Sequence, residues 1–286
     1  MSKVFVSGIQ PSGSLHIGNY LGFIKSFVAF QNDLSITRRV LLIADLHSIS
    51  TGRQEPAQLR LNTLRTLAAL LACGVWIFVL LSVQKYIFSF LLVDPERTLL
   101  VQQSRLPEHT ELMWILGSAA TVASLSSLSQ AFTVQISGAC ARLRSLRNSS
   151  VKMSKSDTDT KSRKELMEPP ELTTAKIRKA FTDFESRVTF DPEQRPGVSN
   201  LVTLFSLISG LTVEQVLKQA DGIDTLAFKG KLAELINSQL ASIRERFSQF
   251  VGDERELERL LQYGEERSRP IAVDTLKEVK RIVGMR

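Results

Sequence analysis

Short apolar runs alternate with amphipathic stretches over the first hundred residues. Val4-Phe5-Val6 leads into a Gly/Pro/Ser loop at 8–13, and apolar positions then recur at helical spacing from about Ile17 to Phe30. Val40-Leu41-Leu42-Ile43-Ala44 is a second unbroken run, ending at Asp45. Leu59, Leu61, Leu64, Leu67, Leu70 and Leu71 mark a helix over 56–73, and Leu99-Leu100-Val101 is a further run. Short runs bounded by turn residues predict buried strands, and the longer periodic stretches predict helices. Strand, loop, helix, strand, helix, strand is the order of a parallel α/β sheet. From Glu171 onward the pattern is helical, with turns expected near 192–197, Gly210, Gly222 and Gly264.

Two stretches break the pattern. Residues 117–150 are rich in Ser and Ala with little periodicity. In 75–93, thirteen of nineteen residues are Leu, Ile, Phe or Val. By length and hydropathy alone that stretch is marginally sufficient for a membrane span, against a central Lys85 that costs about 3 kcal/mol.

Charge sharpens the division. Residues 1–150 hold 13 Lys+Arg and 7 Asp+Glu, whereas 151–286 hold 23 and 22. The second part reads as a solvated helical bundle and the first as a buried sheet with covering helices. The predicted organisation is therefore 1–150, an α/β domain; 151–170, a loop and linker; and 171–286, an all-α domain. With 43% hydrophobic and 23% charged residues the chain is globular in composition. The net charge of +7 hints at a polyanionic partner. Two cysteines cannot build a disulfide framework, and three histidines do not suggest a metal centre, so no metal site is expected.

Candidate chemistry lies in two loops. The first reads Gln10-Pro-Ser-Gly-Ser-Leu-His-Ile-Gly-Asn-Tyr20. A glycine loop between a first strand and a helix start is a nucleotide position, because free N–H groups and the helix dipole favour phosphate. His16 and Asn19 add side-chain donors, and Gly18 would let a flat base approach the backbone. A tight turn with a surface histidine is the plain alternative. The second loop is Lys152-Met153-Ser154-Lys155-Ser156-Asp157. Two lysines and two hydroxyls in five residues can clamp a polyphosphate as charge builds on leaving pyrophosphate. A lone KxxK is more often a solvated basic loop.

Together the loops resemble the paired HIGH and KMSKS signatures of class I aminoacyl-tRNA synthetases, here HIGN at 16–19 and KMSKS at 152–156. The surrounding sequence resembles the tryptophanyl-tRNA synthetases of bacterial and mitochondrial type. The stretches that carry this are FVSGIQPSGSLHIGNYLG, ADLHSI, LLACG, QQSRLPEHTEL, KMSKSD and RKAFTDFESRVTFDPEQRPGVSNL. The resemblance implies a Rossmann-like catalytic domain followed by a helical anticodon-binding domain. It implies an enzyme, a tryptophan–tRNA ligase. Tryptophan carboxylate attacks the α-phosphate of ATP, pyrophosphate leaves, and tRNA(Trp) takes the acyl group. Positioning and electrostatics carry such a reaction.

By position, the resemblance assigns ATP binding to Gln10, Pro11, Ser12, Gly18, Asn19, Leu143, Lys152, Met153, Ser154, Lys155 and Ser156. It gives catalytic roles to His16, Lys152 and Lys155, and places Gly8 and His47 on the tryptophan side. Magnesium would travel with ATP, held mainly by phosphates. Basic clusters at 176–179, 229–231, 267–269 and 277–281 could meet tRNA phosphates.

Two departures stand out. The family runs from its LLACG helix directly into DPE, whereas here 75–93 intervene, an insertion of about eighteen residues. A membrane span there would put the two signatures on opposite faces, unable to share one ATP, so no membrane association is expected. The insert should form a surface helix or helical hairpin, and an unspliced in-frame intron is a plausible origin. Second, the family's GEDQ motif and its indole-binding aspartate have no counterpart. After Gln130 the chain reaches KMSKS within about twenty residues, too few for the missing strands and helices. That missing segment also supplies much of the family's homodimer contact. The sheet is therefore expected to be incomplete, with an exposed edge or apolar face. An intron-like insert points to a eukaryote, hence to the mitochondrial matrix, with a bacterial cytoplasm as the alternative.

Overall fold

A computed structural model gives the arrangement. It describes residues 3–31, 33, 35–50, 52, 54–75, 98–121, 143–155, 157 and 159–285. Three strands, β1 (Lys3–Ile9), β2 (Ile36–Ile43) and β3 (Thr98–Gln102), form a sheet in the order β1-β2-β3. Both pairings are parallel, with Val6 opposite Val40 and Leu42 opposite Val101. Helix α1 (Ile17–Phe30) follows β1. Its second turn, Tyr20–Ile24, is a π-helix, a wider turn than the 3.6-residue spacing predicts. Helices α2 (Asp45–Ser50) and α3 (Pro56–Ala72) follow β2, and α4 (Glu108–Ala119) follows β3.

The sheet's inner face is dry. Leu41 and Ile43 are fully buried, in one core cluster with Phe27 and Ile24 of α1 and Leu67 and Leu70 of α3. On its other face Val101 of β3 is buried, while β1 is an edge strand among the described residues. Val4 and Val6 on that edge stand 56% and 64% exposed.

The second part is helical: α5 (Pro170–Arg178), α6 (Pro196–Ser209), α7 (Val213–Gln219), α8 (Thr225–Val251) and α9 (Glu254–Ile282). Gly210 and Gly222 take left-handed φ values of 77° and 76°, so those two turns fall where expected. Gly264 does not turn. It sits inside α9, which runs on through Pro270. A Cβ at 264 would lie 1.9 Å from the carbonyl oxygen of Leu100, so this glycine lets α9 press against β3. The helical part thus closes onto the sheet. Arg105 pairs with Glu258, Arg60 reaches Glu258 at 3.0 Å, and Lys280 pairs with Glu111.

Of the insert at 75–93 only Val75 is described, buried with its N–H on the Leu70 carbonyl at 3.0 Å; residues 76–93 and the junction at 130–131 lie outside the described residues. No single described helix is long and apolar enough to cross a membrane.

Candidate active site

The carboxyl ends of β1 and β2 carry the candidate residues. The chain leaves β1 at Ile9 and passes through Gln10, buried Pro11 and half-buried Ser12 to His16, where α1 begins. Asn19 closes this start by accepting the His16 backbone N–H at 3.0 Å. The His16 ring is buried, 5% exposed, and lies over Gly18. A Cβ at 18 would stand 2.9 Å from its Cε1 and Nδ1. In this state Gly18 makes room for the neighbouring imidazole, not for a base. Burial first, then the charges of Lys155, Arg163 and Lys152, push the His16 pKa down to about 4, so the ring is neutral at pH 7. Its Nδ1 has no hydrogen-bond partner among the described residues.

The lysine loop arrives from a tight hairpin. Ser145 N–H donates to the Val151 carbonyl at 2.9 Å, and Met153 N–H to the Leu143 carbonyl at 2.9 Å. Leu143 and Met153 turn their side chains into the core. Their expected nucleotide contacts are therefore left to the backbone, and the Leu143 carbonyl already has a partner. Lys155 then crosses to the first loop, and its Nζ donates to the Gln10 carbonyl at 3.0 Å. Burial lowers its pKa to about 8. Lys152 stays exposed and Ser154 half-buried; Ser156 lies outside the described residues.

The segment after the lysine loop clamps the first loop from its other side. Ile17 N–H donates to the Lys164 carbonyl at 2.8 Å, and Leu166 N–H to the Leu15 carbonyl at 2.7 Å, so 164–166 runs beside 15–17. Arg163 ties this segment to the lysine loop by donating to the Asp157 carbonyl at 2.7 Å. Behind it Glu168 holds Lys176 of α5 at 2.6 Å and Lys164 at 3.3 Å. Lys164 is fully buried, and burial outweighs the pull of Glu168 to bring its pKa to about 8.

Gly8 lies on β1 beside Leu42, and His47 lies on α2, exposed, with Nδ1 3.0 Å from Gln103 Oε1. Both are at the carboxyl edge of the sheet. Sequence reasoning missed Asp45. This buried carboxylate accepts from Leu46 N–H at 3.0 Å, Ser104 N–H at 2.9 Å, Gln102 Nε2 at 2.7 Å and Ser104 Oγ. It brackets the ends of β2 and β3. An acid directly after an apolar strand run was the available signal.

One member of each of two basic clusters is corrected, while Arg178, Lys179 and Lys231 stay exposed. Lys176 is buried against Glu168, and Lys229 is buried, donating to the Ala180 carbonyl at 2.8 Å and Thr182 Oγ1 at 2.9 Å. Neither can reach a phosphate. Arg269 and Arg281 also have carboxylate partners, Glu265 and Glu278.

Comparison with known proteins agrees with this arrangement. The family described as tRNA synthetases class I (W and Y) matches residues 2–139 and 130–241. The chain is 31% identical to a tryptophan–tRNA ligase of Caldanaerobacter subterraneus over 348 aligned positions, covering 100% of this chain and 99% of the relative. It is 30% identical to that of Bacillus subtilis over 349 positions, covering 100% and 98%. Among solved structures, a tryptophanyl-tRNA synthetase from Mycoplasma pneumoniae superposes with a TM-score of 0.78 at 22% identity, covering 100% and 99%. One from Campylobacter jejuni, in complex with ADP and tryptophan, gives 0.69 at 20% identity, covering 99% and 100%. With both signatures meeting in one cleft and these relatives matching from end to end, the chain belongs to the class I tRNA synthetases of the tryptophan and tyrosine type, in the tryptophan–tRNA ligase family.

Proposed function

We propose that this chain activates tryptophan with ATP and transfers it to tRNA(Trp), serving protein synthesis in the mitochondrial matrix. The observation that carries the activation step is the bond from Lys155 Nζ to the Gln10 carbonyl. It closes the KMSKS loop over the loop that precedes α1. Backbone donors of that loop and the dipole of α1 would receive the α-phosphate. Lys152 and Lys155 would neutralise the β- and γ-phosphates as pyrophosphate leaves. A neutral His16 can donate a hydrogen bond to a phosphate oxygen without adding charge. Gln10, Pro11, Ser12, Gly18, Asn19 and the Leu143–Ser156 segment complete the nucleotide side, and Gly8 and His47 the tryptophan side. Magnesium would arrive on the ATP phosphates, which would hold it. A homodimer belongs to this reading, and exposed Met113, Trp114 and Leu116 of α4 supply an apolar contact face.

A second reading has an observation of its own. The alignments run over 348 and 349 positions, while the chain has 286 residues. More than sixty positions of each relative therefore face no residue here. The family match also breaks into two pieces that overlap at 130–139, around the expected junction. The GEDQ motif and the indole acceptor are absent from the sequence. A buried indole N–H without an acceptor costs about 1–3 kcal/mol. On this reading the chain is an impaired variant that keeps ATP and tRNA binding only. Tryptophan-dependent ATP–pyrophosphate exchange separates the two: exchange supports the first, and nucleotide binding without exchange supports the second.

A further inference from the structure

The loop between α5 and α6 presents an aromatic ring to water from an unusually well-fastened backbone. Phe184 is 109% exposed, and Phe181 and Phe190 on the same loop are 58% and 38% exposed. None of the three stacks on another aromatic ring among the described residues. Flexible tips often carry exposed side chains, but this loop is pinned. Arg195, itself buried, donates to Asp183 Oδ1 at 2.6 Å, Asp183 Oδ2 at 3.0 Å, the Glu185 carbonyl at 3.0 Å, the Arg187 carbonyl at 2.7 Å and Thr189 Oγ1 at 2.6 Å. Lys229 holds Ala180 and Thr182 from below, and Thr225 N–H donates to the Ser186 carbonyl at 2.7 Å. Gly197 packs so closely that a Cβ there would lie 2.6 Å from the Phe181 carbonyl oxygen. The apolar rings are thus displayed by a rigid ledge, with no flexibility to fold them away.

Three of the loop's four acids are engaged within it: Asp183 and Glu185 face Arg195 at 2.6 and 3.7 Å, and Asp191 accepts the Glu193 and Gln194 N–H groups at 3.0 and 2.9 Å, leaving Glu193 exposed. Arg178, Lys179 and Arg187 are exposed and make no ion pair among the described residues. The ledge is also tied to the hairpin that leads into the lysine loop: Phe181 N–H donates to the Leu146 carbonyl at 2.8 Å. Rigid exposed aromatics beside free cations are what unpaired nucleotides require, with rings for the bases and guanidinium or ammonium groups for the phosphates. A protein partner would favour an apolar rim over three exposed cations set against one exposed acid, Glu193.

We propose that Phe184, flanked by Phe181 and Phe190, is a stacking platform for unpaired bases of the tRNA, with Arg178, Lys179 and Arg187 on its phosphates. This rests on the reading of tRNA as substrate, and its test reads binding, not catalysis. The full chain and its Phe184→Ala, Phe184→Trp and Arg187→Ala variants are titrated with a tRNA(Trp) transcript, with thermal midpoints as the folding control. Phe184→Ala should weaken binding by about five- to a hundredfold, the range for one stacked base. Phe184→Trp should bind within about threefold of the parent, a margin well inside that range, and its indole fluorescence should be quenched by tRNA. Arg187→Ala should lower the slope of binding against salt by about one. Unchanged binding by Phe184→Ala, or an unquenched indole, overturns the platform. So does a variant that alters self-association while binding tRNA like the parent, which would make the ledge a protein contact. A parent chain that binds no tRNA overturns both the platform and the tRNA half of the function. Absent exchange with tRNA binding intact touches the activation step alone.

Discussion

Lys155→Ala probes three consequences of one contact. The Nζ–carbonyl bond to Gln10 fastens the lysine loop across the cleft. A hydrogen bond from a charged donor is worth about 1.5–3 kcal/mol net. The burial that lowers the lysine's pKa to about 8 works against that gain. Global stability should therefore change little. The catalytic effect is larger, because a donor aimed at charge developing in the transition state is worth about 2.7–4 kcal/mol, or a hundred- to a thousandfold in rate. The third consequence is electrostatic. Lys155 is the largest charge effect holding the His16 pKa near 4, after burial itself. Its removal should raise that pKa while leaving it below the ordinary histidine value. The assays are pyrophosphate exchange at saturating ATP and an NMR titration of the His16 ring, with thermal unfolding as control. An unchanged exchange rate together with an unmoved His16 titration would refute the assignment of Lys155 to the phosphate clamp.

His16 also links stability to pH. Its folded pKa of about 4 lies below the ordinary histidine value of 6.5, so between those values the unfolded chain binds a proton that the folded chain does not. This contribution is fully present above pH 6.5 and is lost as pH falls to 4, at most about 3.4 kcal/mol. Urea titrations at pH 7 and pH 4.5 should show a steeper loss in the parent than in His16→Leu; equal slopes would contradict it. Gly264→Ala should destabilise by about 3 kcal/mol through the clash with the Leu100 carbonyl, read as a lower urea midpoint. Lys164→Met should stabilise the chain by about 1–2 kcal/mol at pH 7, because Glu168 keeps Lys176 as its partner and a fully buried ammonium is removed. A lower melting temperature for Lys164→Met would show that the pair is worth more than its burial costs.

The parallel sheet and the two signature loops were legible because they are written locally. Val40–Ala44 is an apolar run bounded by polar residues, and KMSKS is contiguous. What escaped depends on partners distant in sequence. Gly264 has the look of a turn, but its missing Cβ answers a carbonyl on β3, more than a hundred and sixty residues earlier. Lys176 and Lys229 read as members of solvated basic clusters, since nothing in their neighbourhood announces Glu168 or the Ala180 carbonyl waiting for them. Asp45 was visible only as the end of a strand, because Gln102 and Ser104, the groups that saturate it, arrive at the end of the next strand and in the turn that follows it. The wide turn at Tyr20–Ile24 preserves the overall apolar pattern, so periodicity could not reveal it.

The most direct measurement is ATP–pyrophosphate exchange by the full chain, run with tryptophan, with tyrosine and with no amino acid. The account predicts exchange that saturates with tryptophan, stays at background with tyrosine, and collapses in Lys155→Ala. Background exchange at saturating tryptophan, with MgATP binding still measurable by calorimetry, would contradict the activation step and leave the chain a nucleotide- and tRNA-binding relative of the ligases.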